Sequence, residues 1–261
     1  WVLMLLAFLA GFGGGNFAAF MSSTSYFFPM KKQGMALGVQ AGIGNFGVSA
    51  TQFLVPAVIG GSIFGAIAGG AQNVVDKTGA ETGKLLWLQN AGLIYVIPII
   101  IFTIAAAIWL RDVPVGGSFK SQFVILKRKH NWIMTSLYFM TFGSFAGLSA
   151  SFPLLIKELF QDIPDPPNAL AYAFIGPLIG SVVRPISGWV SDKTGGAIIT
   201  QLCAVVLVGA AIAITFFTTG DSFTPFLVLM LVLFFAAGVG NGSTFRQIPI
   251  IFEKKEAGPV L

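Results

Sequence analysis

Seven apolar runs follow one another along this chain, at 1–28, 34–60, 86–110, 131–156, 168–190, 197–219 and 223–252. Each is long enough to cross a bilayer, because a spanning helix needs about 20 mostly apolar residues. Hydrocarbon offers no hydrogen bonds, so a segment inside it must satisfy its own backbone, and a helix does this within one run. The expectation is an all-α polytopic membrane protein with about seven transmembrane helices. The composition agrees: 10% of residues are charged, against roughly 25% in a soluble domain, so charged side chains are too few to cover a water-facing surface. The 32 glycines fit the same class, since membrane helices carry more Gly than soluble ones.

A net charge of +5 and a pI near 9.4 could point to nucleic acid. The cations argue against it, because they sit in short clusters between apolar runs and form no basic face with interleaved aromatics. Their alternation gives an orientation instead. One set of connections holds Lys31, Lys32, Arg111, Lys120, Lys127, Arg128, Lys129, Lys193, Lys254 and Lys255. The other set holds Lys77, Lys84 and Lys157 beside Asp76, Glu81, Glu158, Asp162 and Asp165. The positive-inside rule puts the first set in the cytoplasm. Pro29, Pro114, Pro164, Pro166 and Pro167 fall between runs, where they end helices, and the last run has room to bend near Pro249. The chain opens at Trp1 inside an apolar run, without the basic n-region of a signal peptide, and both ends read as cuts through a longer protein.

No enzyme site emerges. Cys203 is the only cysteine and lies in an apolar run as a packing residue; it has no partner for a disulfide within the chain. His130, the only histidine, sits among Lys127, Arg128 and Lys129 as a solvated loop residue. There are no paired interior carboxylates, metal ligands or catalytic residues, and no cofactor motif. Gly42-Ile43-Gly44-Asn45-Phe46-Gly47 satisfies G-x-G-x-x-G but lacks the preceding strand and the acidic residue of a dinucleotide fold. Gly34, Gly38 and Gly42 read instead as a ladder for close helix contact. Asn241-Gly242-Ser243 matches a glycosylation sequon but lies within a span.

Arg184 is the residue with chemistry. An ionisable group inside a span is costly and marks function by default. Asp192 marks the cytoplasmic end of its helix, and eight residues of rise place Arg184 roughly 12 Å inside that end. Gly176, Gly180, Arg184 and Gly188 recur every four residues, a stripe on one helical face that lets another helix or a ligand come close. No Asp or Glu lies deep in a span to neutralise the charge. Either Arg184 is structural and bonds backbone carbonyls, or it meets an anion from outside, since guanidinium is planar, permanently charged and shaped for a forked bond to a planar oxyanion. Arg246, nearer the cytoplasmic end of its span, is expected to snorkel.

Gly188-Trp189-Val190-Ser191-Asp192-Lys193-Thr194-Gly195-Gly196 resembles the signature loop of the major facilitator superfamily, in which the acid and the basic residue latch neighbouring helices. Longer stretches resemble one branch of it. These are Gly11-Phe12-Gly13-Gly14-Gly15-Asn16-Phe17, Ser25-Tyr26-Phe27-Phe28-Pro29, Gly34 through Ser49, Leu137-Tyr138-Phe139-Met140-Thr141-Phe142-Gly143-Ser144-Phe145, and Gly238-Val239-Gly240-Asn241-Gly242-Ser243-Thr244-Phe245. They are similar to the nitrate/nitrite porter family.

The resemblance implies an incomplete major facilitator fold covering helices four to ten of twelve. Residues 1–113 would close the N-terminal bundle with three spans, 114–130 would be a basic cytoplasmic loop, and 131–261 would open the C-terminal bundle with four spans. It also implies a nitrate or nitrite site in which Arg184 is one of two flanking arginines, Tyr138 donates a hydrogen bond, and Phe17 and Phe142 sandwich the anion. Asn45, Gly14, Ala41 and Gly42 would line the pocket, and Gly188, Asp192, Lys193 and Gly195 would form the latch. Ala41 stands where close bacterial relatives often have Gly. The second arginine and a second Gly-rich signature belong to helices outside this chain, so the expected partners are the anions, the lipid bilayer and those missing helices. The expected setting is the bacterial inner membrane. Exchange of nitrate for nitrite leads, because the spans hold no deep acid or histidine for proton coupling. Proton-coupled uptake stays open, as does, further off, an anion channel or a non-transporting scaffold.

Overall fold

The computed structural model describes residues 1–75, 79–111, 123–218 and 222–252. The readings made for Asp76, Lys77, Pro114, Lys120, Lys254, Lys255 and most of the loop 114–130 fall outside the described residues. Ten α-helices occur among the described residues: α1 Val2–Phe27, α2 Gln33–Val58, α3 Asn90–Leu93, α4 Val96–Trp109, α5 Lys129–Tyr138, α6 Ser144–Phe160, α7 Ala169–Ala173, α8 Ile175–Thr194, α9 Gly196–Ile214 and α10 Phe223–Ile251. Several join end to end, so six stretches are long and apolar enough to cross a membrane: Val2–Phe27, Asn90–Trp109, Lys129–Phe160, Ala169–Thr194, Gly196–Phe217 and Phe223–Ile251.

The expected seventh, α2, has the length, with 26 residues, but not the hydropathy. Gln33, Gln40, Asn45 and Gln52 stand among its glycines and dilute its apolar side chains. A helix of that composition is suited to packing against other helices rather than to facing lipid.

The chain forms two compact units, Trp1–Ser49 with Val115–Leu261, and Ala50–Pro114. In the smaller one, the side chain of Asn90 donates to the carbonyls of Val58 and Gly61, both at 2.8 Å, and so satisfies carbonyls that the end of α2 leaves open. It also holds a hairpin that the sequence reading lacks. Strands β1 Gln72–Val75 and β2 Glu81–Leu86 pair antiparallel with Gln72 opposite Leu86. The apolar run that seemed to open at 86 therefore begins as the end of a strand, and the helix starts at Asn90.

In the larger unit, α1 and α2 form a hairpin closed by Pro29 and one 3-10 turn, Met30–Lys32. Gln33 Nε2 donates to the carbonyls of Ser25 and Phe28 at 2.5 and 3.2 Å, tying the two helices at the bend. Between α8 and α9 the chain turns on Gly195 at φ +84°, a conformation that an L side chain resists. Pro249 lies in the last turn of α10, and the helix ends two residues later.

Two apolar clusters fill this unit. One gathers Phe145, Phe152, Ile156, Phe226, Met230 and Phe234 from α6 and α10. The other gathers Met21, Leu37, Ala41, Met134, Phe245 and Ile248 from α1, α2, α5 and α10. Glycines set the helix spacing around them. A Cβ on Gly188 would lie 2.1 Å from the carbonyl oxygen of Gly34, and one on Gly38 would lie 2.6 Å from that of Arg184. Such contacts oppose backbone to backbone, and no side chain can rotate away to relieve them. Gly188→Ala is expected to force α2 and α8 apart and to cost about 1–3 kcal/mol. Thermal unfolding of the detergent-solubilised full-length protein checks this, with Gly13→Ala as control because nothing lies within 4 Å of a Cβ there. Equal midpoints for the two variants would contradict the packing argument.

Candidate functional site

Arg184 is fully buried on α8, and glycines make its burial sterically feasible. Gly38 of α2 and Gly242 of α10 both close on its backbone carbonyl, each with an ideal Cβ 2.6 Å from that oxygen. The side chain then runs between the two apolar clusters. Its Nη1 donates to the Ala41 carbonyl at 3.1 Å. Its Cζ lies 4.2 Å from the centre of the Phe145 ring and 5.8 Å from that of Phe142, within the range where a ring face attracts a cation. Nε and Nη2 have no hydrogen-bond partner, and no carboxylate pairs with the guanidinium among the described residues.

An aromatic wall stands beside it. Tyr138 and Phe142 stack at 5.1 Å, and Phe142 and Phe145 at 6.3 Å. Phe17 of α1 lies nearly parallel to Phe142, at 6.3 Å and 14°. Phe142 is carried on a π-turn, Phe139–Gly143, inserted between α5 and α6. Such wide turns are rare and often occur at functional sites. Nothing in the run of apolar residues announces it. The signal that was available is Thr141, whose hydroxyl donates back to the Leu137 carbonyl at 2.9 Å, the kind of bond that bends helices.

Asn45 Nδ2 donates to the Ala41 carbonyl at 2.8 Å, so Asn45 and Arg184 share one acceptor. Arg184, Ala41, Asn45, Tyr138, Phe142 and Phe17 are thus linked through α1, α2, α5, the π-turn and α8. Gly42 serves a different contact, because its missing side chain admits the Ser181 carbonyl, 2.8 Å from an ideal Cβ. Gly14 is exposed on α1 with nothing within 4 Å of a Cβ.

A second polar centre lies two turns along α8. The Asp192 carboxylate accepts from the backbone N–H groups of Gly34 and Met35, at 2.9 and 2.8 Å. These belong to the first turn of α2, where free N–H groups and the helix dipole favour an anion. Arg246 Nε lies 2.7 Å from Asp192 Oδ1, an ion pair rather than a well-aligned hydrogen bond. Arg246 therefore does not snorkel: it is buried and paired. The sequence places these two residues 54 positions apart on different helices, so spacing could not reveal the pair. Lys193 Nζ sits 3.6 Å from the Trp189 ring centre, and Gly195 makes the turn that follows. Gly188 gives the close approach to Gly34 described above.

Long apolar helices packed around one unneutralised, buried guanidinium define a polytopic membrane protein with an internal cationic centre. A family model described as Major Facilitator Superfamily matches residues 1–260. The chain belongs to that superfamily.

Among curated proteins, the chain is 51% identical over 264 residues to the probable nitrate/nitrite antiporter NarK2 of Thermus thermophilus, covering 100% of this chain and 59% of that protein. It is 41% identical over 258 residues to the nitrate/nitrite transporter NarU of Salmonella typhimurium, covering 97% of this chain and 54% of that protein. Against NarU of Escherichia coli the identity is 38% over 257 residues, with the same coverage. The chain thus spans between half and three-fifths the length of these relatives.

Proposed function

We propose that this chain is part of a nitrate/nitrite carrier working by alternating access, with exchange of the two anions as its leading mode. The observation that carries the reading is the Arg184 guanidinium, fully buried, with Nε and Nη2 unpartnered. A buried charge is tolerated when it is paired, and a small planar oxyanion presents the acceptors those two donors need. Phe17 and Phe142 are nearly parallel, as two faces gripping a flat ligand would be. Their 6.3 Å separation is short of the roughly 7 Å that two carbon contacts around an intervening atom require, so binding asks the rings to part slightly. Tyr138 supplies a hydroxyl at the same wall. Asn45 and Ala41 orient the guanidinium, Gly42 lets α8 close on α2 behind the site, and Gly14 completes the lining once the remaining helices are in place.

In this reading, 1–113 ends the N-terminal bundle, 114–130 is the basic loop and 131–261 begins the C-terminal bundle. The basic connections lie in the cytoplasm, in the inner membrane of a bacterium. Gly188, Asp192, Lys193 and Gly195 latch the cytoplasmic ends in one state. Exchange follows from the charge. Guanidinium stays protonated at physiological pH, and an empty site with two arginines is disfavoured by their mutual repulsion, so the carrier returns with an anion bound.

The test is nitrate uptake by the full-length protein in proteoliposomes, with nitrite inside against no internal anion and an inward proton gradient. The expected result is uptake only with internal nitrite. Uptake driven by the proton gradient alone would replace exchange with proton coupling, and currents far above carrier rates without trans-stimulation would identify a channel.

A further inference from the structure

Asn241, on α10, is fully buried, and neither the oxygen nor the nitrogen of its carboxamide has a hydrogen-bond partner among the described residues. A native interior rarely leaves both ends of a carboxamide unmet, and each such group calls for an explanation. Its place on the helix supplies one. Phe234, Asn241 and Phe245 are seven and four residues apart, so they lie along one stripe of α10. Phe234 packs edge-on against Phe145 at 6.1 Å, the ring that carries the Arg184 guanidinium. Phe245 packs against Tyr138 at 5.7 Å. Asn241 stands between these two contacts, level with the π-turn that bears Phe142. Its neighbour Gly242 rests on the Arg184 carbonyl. The stripe bridges the two apolar clusters at the layer where the guanidinium crosses between them.

We propose that Asn241 is a further anion-binding residue, whose amide serves the third oxygen of nitrate and so favours nitrate over nitrite. The proposal rests on the carrier reading above. Arg184 presents two free donors, Tyr138 presents a hydroxyl, and the Asn45 amide is already engaged with Ala41. Nitrate has one more oxygen acceptor than nitrite, and Asn241 offers it a buried amide donor that has no partner among the described residues. A carboxamide held for a ligand is also a burden on the empty protein. Replacing it with an apolar group of similar shape therefore stabilises the anion-free state while weakening nitrate binding.

The experiment measures nitrate and nitrite binding and the anion-free thermal midpoint on the purified full-length protein, as wild type, Arg184→Lys, Asn241→Leu and Asn241→Asp. The expected result for Asn241→Leu is an unchanged or raised midpoint, a nitrate Kd about tenfold higher and a smaller change for nitrite. Asn241→Asp keeps the side-chain volume but puts an acid in place of the amide, and is expected to lose both anions. Nitrate affinity unchanged in either variant overturns the proposal. So does an equal loss of both anions in Asn241→Leu with a lowered midpoint, because that is the mark of a packing role. If the wild type binds neither anion, the carrier reading falls and this one with it. If the wild type binds both, Arg184→Lys binds neither and Asn241→Leu matches the wild type, only this one falls.

Discussion

On the carrier reading, Arg184→Lys in the full-length protein is expected to lower nitrate affinity by about a hundredfold and to leave the fold intact. Lysine keeps the positive charge and most of the apolar stem, so a site that needs only charge would barely notice. What disappears is the fork. The guanidinium spends Nη1 on the Ala41 carbonyl and keeps two further donors in the same plane, while an ammonium reaching the same carbonyl cannot hold a second and third donor in fixed geometry. Hydrogen bonds to charged groups are worth about 1.5–3 kcal/mol each, and losing roughly 3 kcal/mol gives the hundredfold figure. Lysine also loses the flat stacking surface over Phe145. Equilibrium binding of nitrate, with the thermal midpoint as fold control, checks this. Affinity within threefold of wild type would return Arg184 to a structural role, bonded to a backbone carbonyl.

Asp192→Ala is expected to destabilise the protein by about 3–5 kcal/mol, because it leaves the buried Arg246 without its counter-charge and frees the two N–H groups at the start of α2. The double variant Asp192→Ala with Arg246→Leu separates these two costs. Removing both charges eliminates the desolvation penalty, so the double variant should recover a large part of the lost stability and keep only the cost of the uncapped helix, about 0.5–2 kcal/mol. Thermal unfolding of the four proteins of this cycle measures the coupling. Additive effects would mean that Arg246 and Asp192 do not act as a pair.

The legible part of this molecule was the part written in local spacing. The four-residue recurrence of Gly176, Gly180, Arg184 and Gly188 announced a close-packed face, and α8 has it. The glycines at 34, 38 and 42 announced another, and the two faces meet. Local spacing failed where a structure depends on residues far apart or on backbone geometry without a composition signal. Arg246 looked like a cation free to reach water until α8 brought Asp192 to it. The π-turn at Phe139–Gly143 reads in sequence as ordinary helix, since no proline or charge marks it. Hydropathy alone also carried Leu86, the last residue of β2, and the turn after it into the apolar run of the next helix. At the site, the side chains were legible but the shared acceptor was not, because the Ala41 carbonyl is backbone and any residue would supply it.

The bonds from Gly34 and Met35 to Asp192 join residues 158 and 157 positions apart. Ribosomes add about 5–20 residues per second, so the start of α2 waits roughly ten seconds or longer for its acid to be made. During that interval the hairpin of α1 and α2 must hold its shape with bonds it already owns. Gln33 provides them, reaching back only eight and five residues to the carbonyls of Ser25 and Phe28. The order of synthesis is thus written into the fold: a local clasp forms first, and the carboxylate arriving with the last turn of α8 completes it.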